Sequence, residues 1–218
     1  MSLALLEERF HESLARAYRR VPGAGDPAPD EDRIVFGGIS WEQYLAIDEE
    51  RGPEAPAPRL YYLDGQLEIM TTSRRHEHKK KWIDWLLLEF LGLHDIDVFA
   101  YGQATLRKLR EAGAEPDESW CFGEDKPTPD LVLEVAMTSG GLDKLDVYCR
   151  FGVPEVWFWR RGALEVWTLR TDRYEGPASA SRVLPALDLA LLTRCLELPT
   201  WREARRAFRE AASSAPRG

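Results

Sequence analysis

Two carboxylates stand in or beside one apolar stretch, Pro129-Asp130-Leu131-Val132-Leu133-Glu134-Val135. An ionised group among such neighbours is costly unless a counter-charge or a metal ion compensates it. Asp130 and Glu134 share a face of an extended strand but lie about 13 Å apart at ~3.3 Å per residue, too far to ligate one cation. Asp117, in a preceding strand, can stand opposite Glu134 with about 5 Å between Cβ atoms, which suits two ligands of one hard divalent ion such as Mg²⁺. The competing reading makes Asp117 a turn cap after Pro116 and Glu134 half of a structural ion pair.

Lys144 is the basic partner of that pair. On a helix over Leu142–Phe151 it shares a face with Val147, Tyr148 and Phe151, while Asp143, Asp146 and Arg150 take other directions. A lone lysine there would snorkel to water. Beside a carboxylate pair it would instead approach Glu134 and stabilise charge on a phosphoryl group or an attacking hydroxide. As a surface-like residue it would matter to folding by less than about 0.5 kcal/mol. Glu68, upstream, is either a third carboxylate for the same ion or a solvated strand residue. Arg74, Arg75, His76, His78, Lys79, Lys80 and Lys81 open the next helix. A helix start carrying Arg74, His76, Lys79 and Lys80 can face phosphate, the alternative being a solvated basic face. Neither histidine has a Cys or Asp at ligand spacing, which argues against zinc.

The elements that must position these residues follow from periodicity and breakers. Leu3, Leu5, Leu6, Phe10 and Leu14 suit an amphipathic first helix, and Val21–Asp32, rich in Pro, Gly and Asp, reads as a linker. Ser40 is placed to cap a short helix through Trp41, Tyr44, Leu45 and Ile47, which the prolines of Arg51–Pro58 break. Leu60–Leu63 and Gln66–Met70 form a hairpin around Asp64-Gly65, a dipeptide that accepts positive φ. Thr72 and Ser73 precede a long helix from Arg74, with Trp82, Trp85, Leu86 and Phe90 on its buried stripe. Strands are expected at Ile96–Tyr101, Ala104–Leu109, Asp117–Phe122 and Leu131–Met137, the last apolar enough to be covered on both faces. A second hairpin, Val156–Trp159 with Leu164–Leu169, turns at Arg161-Gly162, and a final helix covers Trp201–Ala212. The fold class is therefore α/β.

Bulk properties narrow the function. The net charge is −8, so affinity for nucleic acid would have to come from local cations. No apolar run is long enough for a bilayer span and Met1–Arg20 does not resemble a secretory signal, so a cytoplasmic location is expected. Cys121, Cys149 and Cys195 are widely spaced in apolar segments and read as buried thiols. There is no G-x-S-x-G elbow, no phosphate-cradling Gly-Lys-Ser/Thr loop and no G-x-G-x-x-G.

Taken in order, the Asp-Gly hairpin with Leu67-Glu68-Ile69-Met70, His76, Pro116-Asp117, PDLVLEV at 129–135, Asp143-Lys144 and YCRFGVPEVW at 148–157 resemble the Uma-type restriction-endonuclease family of the PD-(D/E)XK nuclease superfamily. The resemblance covers about Ser40–Leu169. It implies a restriction-endonuclease-like fold, a central mixed sheet flanked by helices, and endonuclease cleavage of DNA phosphodiesters with Mg²⁺, or Mn²⁺ in its place. Asp117 and Glu134 match the motif acids and are the implied metal ligands. Ala136 occupies the position where the superfamily pattern has lysine, and Lys144 matches the lysine that the Uma-type pattern carries on the following helix. Tyr61 stands where many members have Glu, and Glu68 is the candidate replacement. The expected organisation is an N-terminal helical and Pro-rich part (1–58), a nuclease-like core (59–175) and a C-terminal loop and helix (176–218). The alternative function is an inactive nuclease-fold module that binds nucleic acid or protein. Aromatic strands such as Val156–Trp159, with Trp167, would serve either core packing or a homodimer face, core packing being the commoner use.

Overall fold

The computed structural model describes residues 8, 31–52, 58–136 and 141–214. The chain divides into two units, each assembled from three separate stretches of sequence. The helix expected near Leu3–Leu14 lies, apart from Glu8, outside the described residues, as does most of the Val21–Asp32 linker.

The first unit takes the chain up to His76, then Thr105–Glu115 and Thr138–Phe151. Strand β1 (Glu31–Gly37) is followed by helix α1 (Trp41–Arg51) and strands β2 (Arg59–Leu63) and β3 (Gln66–Thr72). Ser40 caps α1 through a reciprocal pair: its hydroxyl accepts from the Gln43 amide at 3.2 Å, and the Gln43 side chain accepts from the Ser40 amide at 2.8 Å. The hairpin turn has φ of 45° at Asp64 and 85° at Gly65, as a two-residue turn of matching twist requires. The short strands β5 (Leu106–Lys108) and β6 (Ala112–Ala114) complete an antiparallel sheet in the order β1-β3-β2-β6-β5. Phe36, Ile39, Trp41, Tyr44, Ile47, Leu60, Tyr62, Leu67 and Ile69 form its core, with Tyr44 stacked on Tyr62 at 5.1 Å.

The second unit comprises Glu77–Ala104, Pro116–Met137 and Gly152–Gly218. Its sheet runs β11-β10-β9-β8-β7-β4, from strands β4 (Val98–Ala100), β7 (Glu118–Phe122), β8 (Leu131–Ala136), β9 (Glu155–Arg160), β10 (Ala163–Arg170) and β11 (Arg173–Ala178). Among the described residues only β8 and β9 pair in parallel. Leu131, Leu133 and Val135 join Trp120, Trp157 and Trp159 in a core with Trp82, Ile83, Leu86 and Phe90 of helix α2 (Arg74–Leu93). Helices α4 (Leu189–Cys195) and α5 (Trp201–Ser214) add Leu192 and Phe208 to it. Among the described residues no helix is long and apolar enough to cross a membrane.

Several expectations need correction. Glu31 and Asp32 belong to β1, an edge strand whose charged start hides its period, rather than to a linker. Strands β6 and β11 and helix α4 were not foreseen; Ala-Gly-Ala has little β propensity, and β11 carries Gly and Pro at a sheet edge. Trp85 is 43% exposed and sits off the buried stripe of α2. Trp157 and Trp159 lie in the second unit's core and Val156 and Phe158 are buried as well, which is the core-packing use of this strand.

Candidate active site

In the second unit the ladder between β7 and β8 sets Glu118 opposite Leu133, Ser119 opposite Val132 and Trp120 opposite Leu131. Carried one residue further, this register puts Asp117 opposite Glu134, and opposed residues of an antiparallel pair share a face. Asp117 is fully buried and Glu134 is 4% exposed. One Asp117 oxygen, Oδ2, accepts from the Val135 amide at 2.5 Å, which ties the aspartate to the strand carrying Glu134. Asp130 behaves differently: its carboxylate accepts from the Phe122 amide at 2.8 Å and from Lys126 Nζ at 2.8 and 3.0 Å, and so closes the β7–β8 loop. Among the described residues no three acidic, histidine or cysteine side chains cluster as a metal-binding group. A pair of carboxylate donors nonetheless suits Mg²⁺, which keeps several waters and takes other oxygens from substrate phosphate.

The first unit contains Glu68 and Lys144, and it brings them together. Lys144 opens helix α3 (Lys144–Phe151) and lies on its buried face with Val147 and Tyr148, as the helical spacing required. Its Nζ donates to Glu68 Oε1 at 2.7 Å, and Glu68 Oε2 accepts from the Leu142 amide at 2.6 Å. Glu68 is fully buried and Lys144 is 7% exposed, so neither the solvated glutamate nor the surface-like lysine is found. Tyr61, the departure from the family pattern, stands directly opposite Glu68 across β2 and β3. Its ring lies 2.6 Å below the Lys144 ammonium, and its hydroxyl donates to the Glu115 carbonyl at 2.6 Å. The Glu115 carboxylate in turn accepts from Arg51 and from the Leu60 amide. Gly141, at φ 91°, is needed where it stands: a Cβ there would collide with the Glu68 carboxylate and lie 2.9 Å from its Cδ. The tyrosine seat, the Gly141 clearance and the Glu115 brace left no signal in spacing, because each depends on strands distant in sequence.

The basic start of α2 is distributed among internal partners. Ser73 caps it, accepting from the His76 amide at 3.2 Å. Arg74 and Arg75 are exposed. His76 is fully buried, which corrects its reading as a phosphate contact. Lys79 donates to the Leu196 carbonyl at 2.9 Å and covers the Trp159 ring, and Lys80, 6% exposed, pairs with Glu77 at 2.7 Å. Lys81 donates to Glu118 at 2.6 Å. Burial pushes the Glu118 carboxyl upward from its ordinary value, and the Lys81 hydrogen bond offsets this only in part. Lys79 and Lys80 thus make contacts within the second unit, while Arg74 stays exposed.

Against this geometry, a family model, Uma2, described as "Putative restriction endonuclease", matches residues 41–200. The chain belongs to the Uma2 family. The matched span contains Glu68, Asp117, Glu134 and Lys144. The Uma2 assignment agrees with the α/β architecture of sheets and flanking helices, which is consistent with a restriction-endonuclease-like fold, and it supports a nuclease-like role. A search of curated proteins finds no match.

Proposed function

We propose that this Uma2 protein is a Mg²⁺-dependent endonuclease that hydrolyses DNA phosphodiester bonds. The observation that carries the reading is the buried Asp117 carboxylate hydrogen-bonded to Val135 N, beside Glu134 in an otherwise apolar strand. Asp117 and Glu134 would hold the ion, which when bound supplies Lewis acidity to a phosphate oxygen and to water. The strand backbone fixes the aspartate, so little reorganisation is needed when a cation arrives. Lys144 enters through the family pattern as the cation that balances charge developing on the phosphoryl group. Glu68 acts on Lys144 as a positioning residue, holding its ammonium over Tyr61. The test is cleavage of plasmid, single-stranded DNA and RNA with Mg²⁺, Mn²⁺ or chelator, alongside calorimetry of Mg²⁺ binding. Wild type should bind Mg²⁺ and nick DNA, and Glu134→Ala should lose both. A wild type that binds no divalent ion overturns the reading.

A second reading rests on the closed Glu68–Lys144 pair together with Ala136 at the usual lysine position. It makes the chain an inactive nuclease-fold module that binds nucleic acid or protein. Binding without cleavage at any divalent ion tested would favour it.

A further inference from the structure

Helix α5 begins at Trp201, immediately past the span matched by the family model. Its inner face is apolar: Ala204 and Phe208 are fully buried, and Trp201 packs edge-on against Trp82 and Trp85. Thr200 caps it, accepting from the Glu203 amide at 3.3 Å. Its outer face holds Arg202, Arg205, Arg206 and Arg209, all exposed. At 100° per residue these four fall within one arc of the helix surface, spread over about 10 Å of its length. This is a cationic stripe on a chain of net charge −8. Arg205 and Arg209 share the Glu89 carboxylate, at 2.9 and 3.0 Å, which fixes their guanidinium groups. Arg202 and Arg206 have no acidic partner among the described residues.

The Glu89 ion pairs account for Arg205 and Arg209 but not for Arg202 and Arg206. Arg202, in the first turn, opposes the helix macrodipole, whose positive end lies there. The same field, added to forked guanidinium donors, favours a row of phosphates. We infer that the outer face of α5 is a nucleic-acid docking surface, with Arg202 and Arg206 taking backbone phosphates and Arg205 and Arg209 held beside them by Glu89. The inference builds on the nuclease reading by supplying a surface for the substrate backbone, but it concerns binding alone.

The experiment is fluorescence anisotropy of the full chain with labelled duplex DNA, single-stranded DNA and RNA in EDTA, across a salt series. The charge-reversed double variant Arg202→Glu/Arg206→Glu should bind at least tenfold more weakly. On duplex DNA its plot of log affinity against log salt should be shallower by about 1.8, the loss of two phosphate contacts. Arg202→Lys/Arg206→Lys should restore most of the affinity, and circular dichroism melts should match wild type. Unchanged affinity and slope in the reversed variant overturn the inference. So does a wild type that binds no nucleic acid, or one that uses these arginines only on phosphatidylserine vesicles. Arginine-dependent binding without cleavage upholds this surface and sinks the metal-dependent reading. Cleavage with arginine-independent binding does the reverse.

Discussion

Glu68 and Glu155 are both fully buried carboxylates, one in each unit, and their surroundings are built on different terms. Glu155 is met by neutral donors: Trp157 Nε1 and Ser181 Oγ at 2.6 Å on one oxygen, and the Arg182 amide at 2.7 Å on the other. Ser181 Oγ also accepts from the Leu184 amide at 2.9 Å, so the carboxylate fastens β9 to the 181–184 turn. Glu68 is met by an ammonium on a four-carbon stem and by one amide. One indole and one peptide amide hold fixed directions, whereas a lysine on its flexible stem can be re-aimed. The contrast separates a buried charge met by neutral donors from one met by the cation that the proposed mechanism uses.

The largest expected effect is on the charged pair. Lys144→Ala strands a buried carboxylate and should destabilise the protein by about 3–5 kcal/mol in urea titrations, well beyond the small cost expected of a surface lysine. Glu68→Leu/Lys144→Met should recover most of that stability while cleavage stays lost; recovered cleavage would mean that Lys144 serves folding alone. Next comes the neutral lock. Glu155→Ala leaves a buried indole N–H and the Ser181 O–H donor unpaired and should cost about 3 kcal/mol, yet cleavage per folded molecule should be unchanged. Were it to fall, the distinction between the two glutamates would fail.

Intermediate settings should give smaller effects. Because burial raises Glu118, with Lys81 opposing, the folded state holds that proton to higher pH than the unfolded chain. Its stabilising contribution is therefore fullest below 4.5 and is lost as pH rises through the raised folded value. Thermal melts of Glu118→Gln across that range should lack this decline. The smallest effect belongs to the surface. The Tyr101 hydroxyl donates to Asp125, and that hydrogen bond pushes the phenol up to about 12. Asp125→Asn should bring its ultraviolet titration midpoint down toward 10 without altering cleavage.

Much of this was legible where chemistry and period coincide. Asp64-Gly65 announced its hairpin through positive φ, the apolar run at 131–136 announced a central strand, and the three-four spacing from Lys144 announced a buried face. What stayed hidden had no local signature. β1 begins Glu-Asp-Arg and leaves Ile34 and Val35 partly exposed at a sheet edge. Glu68 admitted two readings because one strand residue does not reveal what will pack on it; its partner comes from a helix far down the chain. The basic block at 74–81 misled for the opposite reason. Local charge was plain, with Glu77 inside the block itself, but the other partners that absorb it, Glu118 for Lys81 and the Leu196 carbonyl for Lys79, become neighbours only on folding.

The order of synthesis gives the Glu68 setting a temporal side. All five strands of the first sheet have been translated by Ala114, yet the ammonium that matches Glu68 is not made until Lys144, and the Gly141 and Leu142 backbone that closes over it comes just before. Until then the carboxylate has to stay in water, since burying it alone costs several kcal/mol. A nascent chain can therefore assemble the hairpin early but cannot seal this pocket. That final step waits for α3, which makes the closing of the Glu68–Lys144 pair a late checkpoint on a chain that has already emerged through both acids of the proposed metal site.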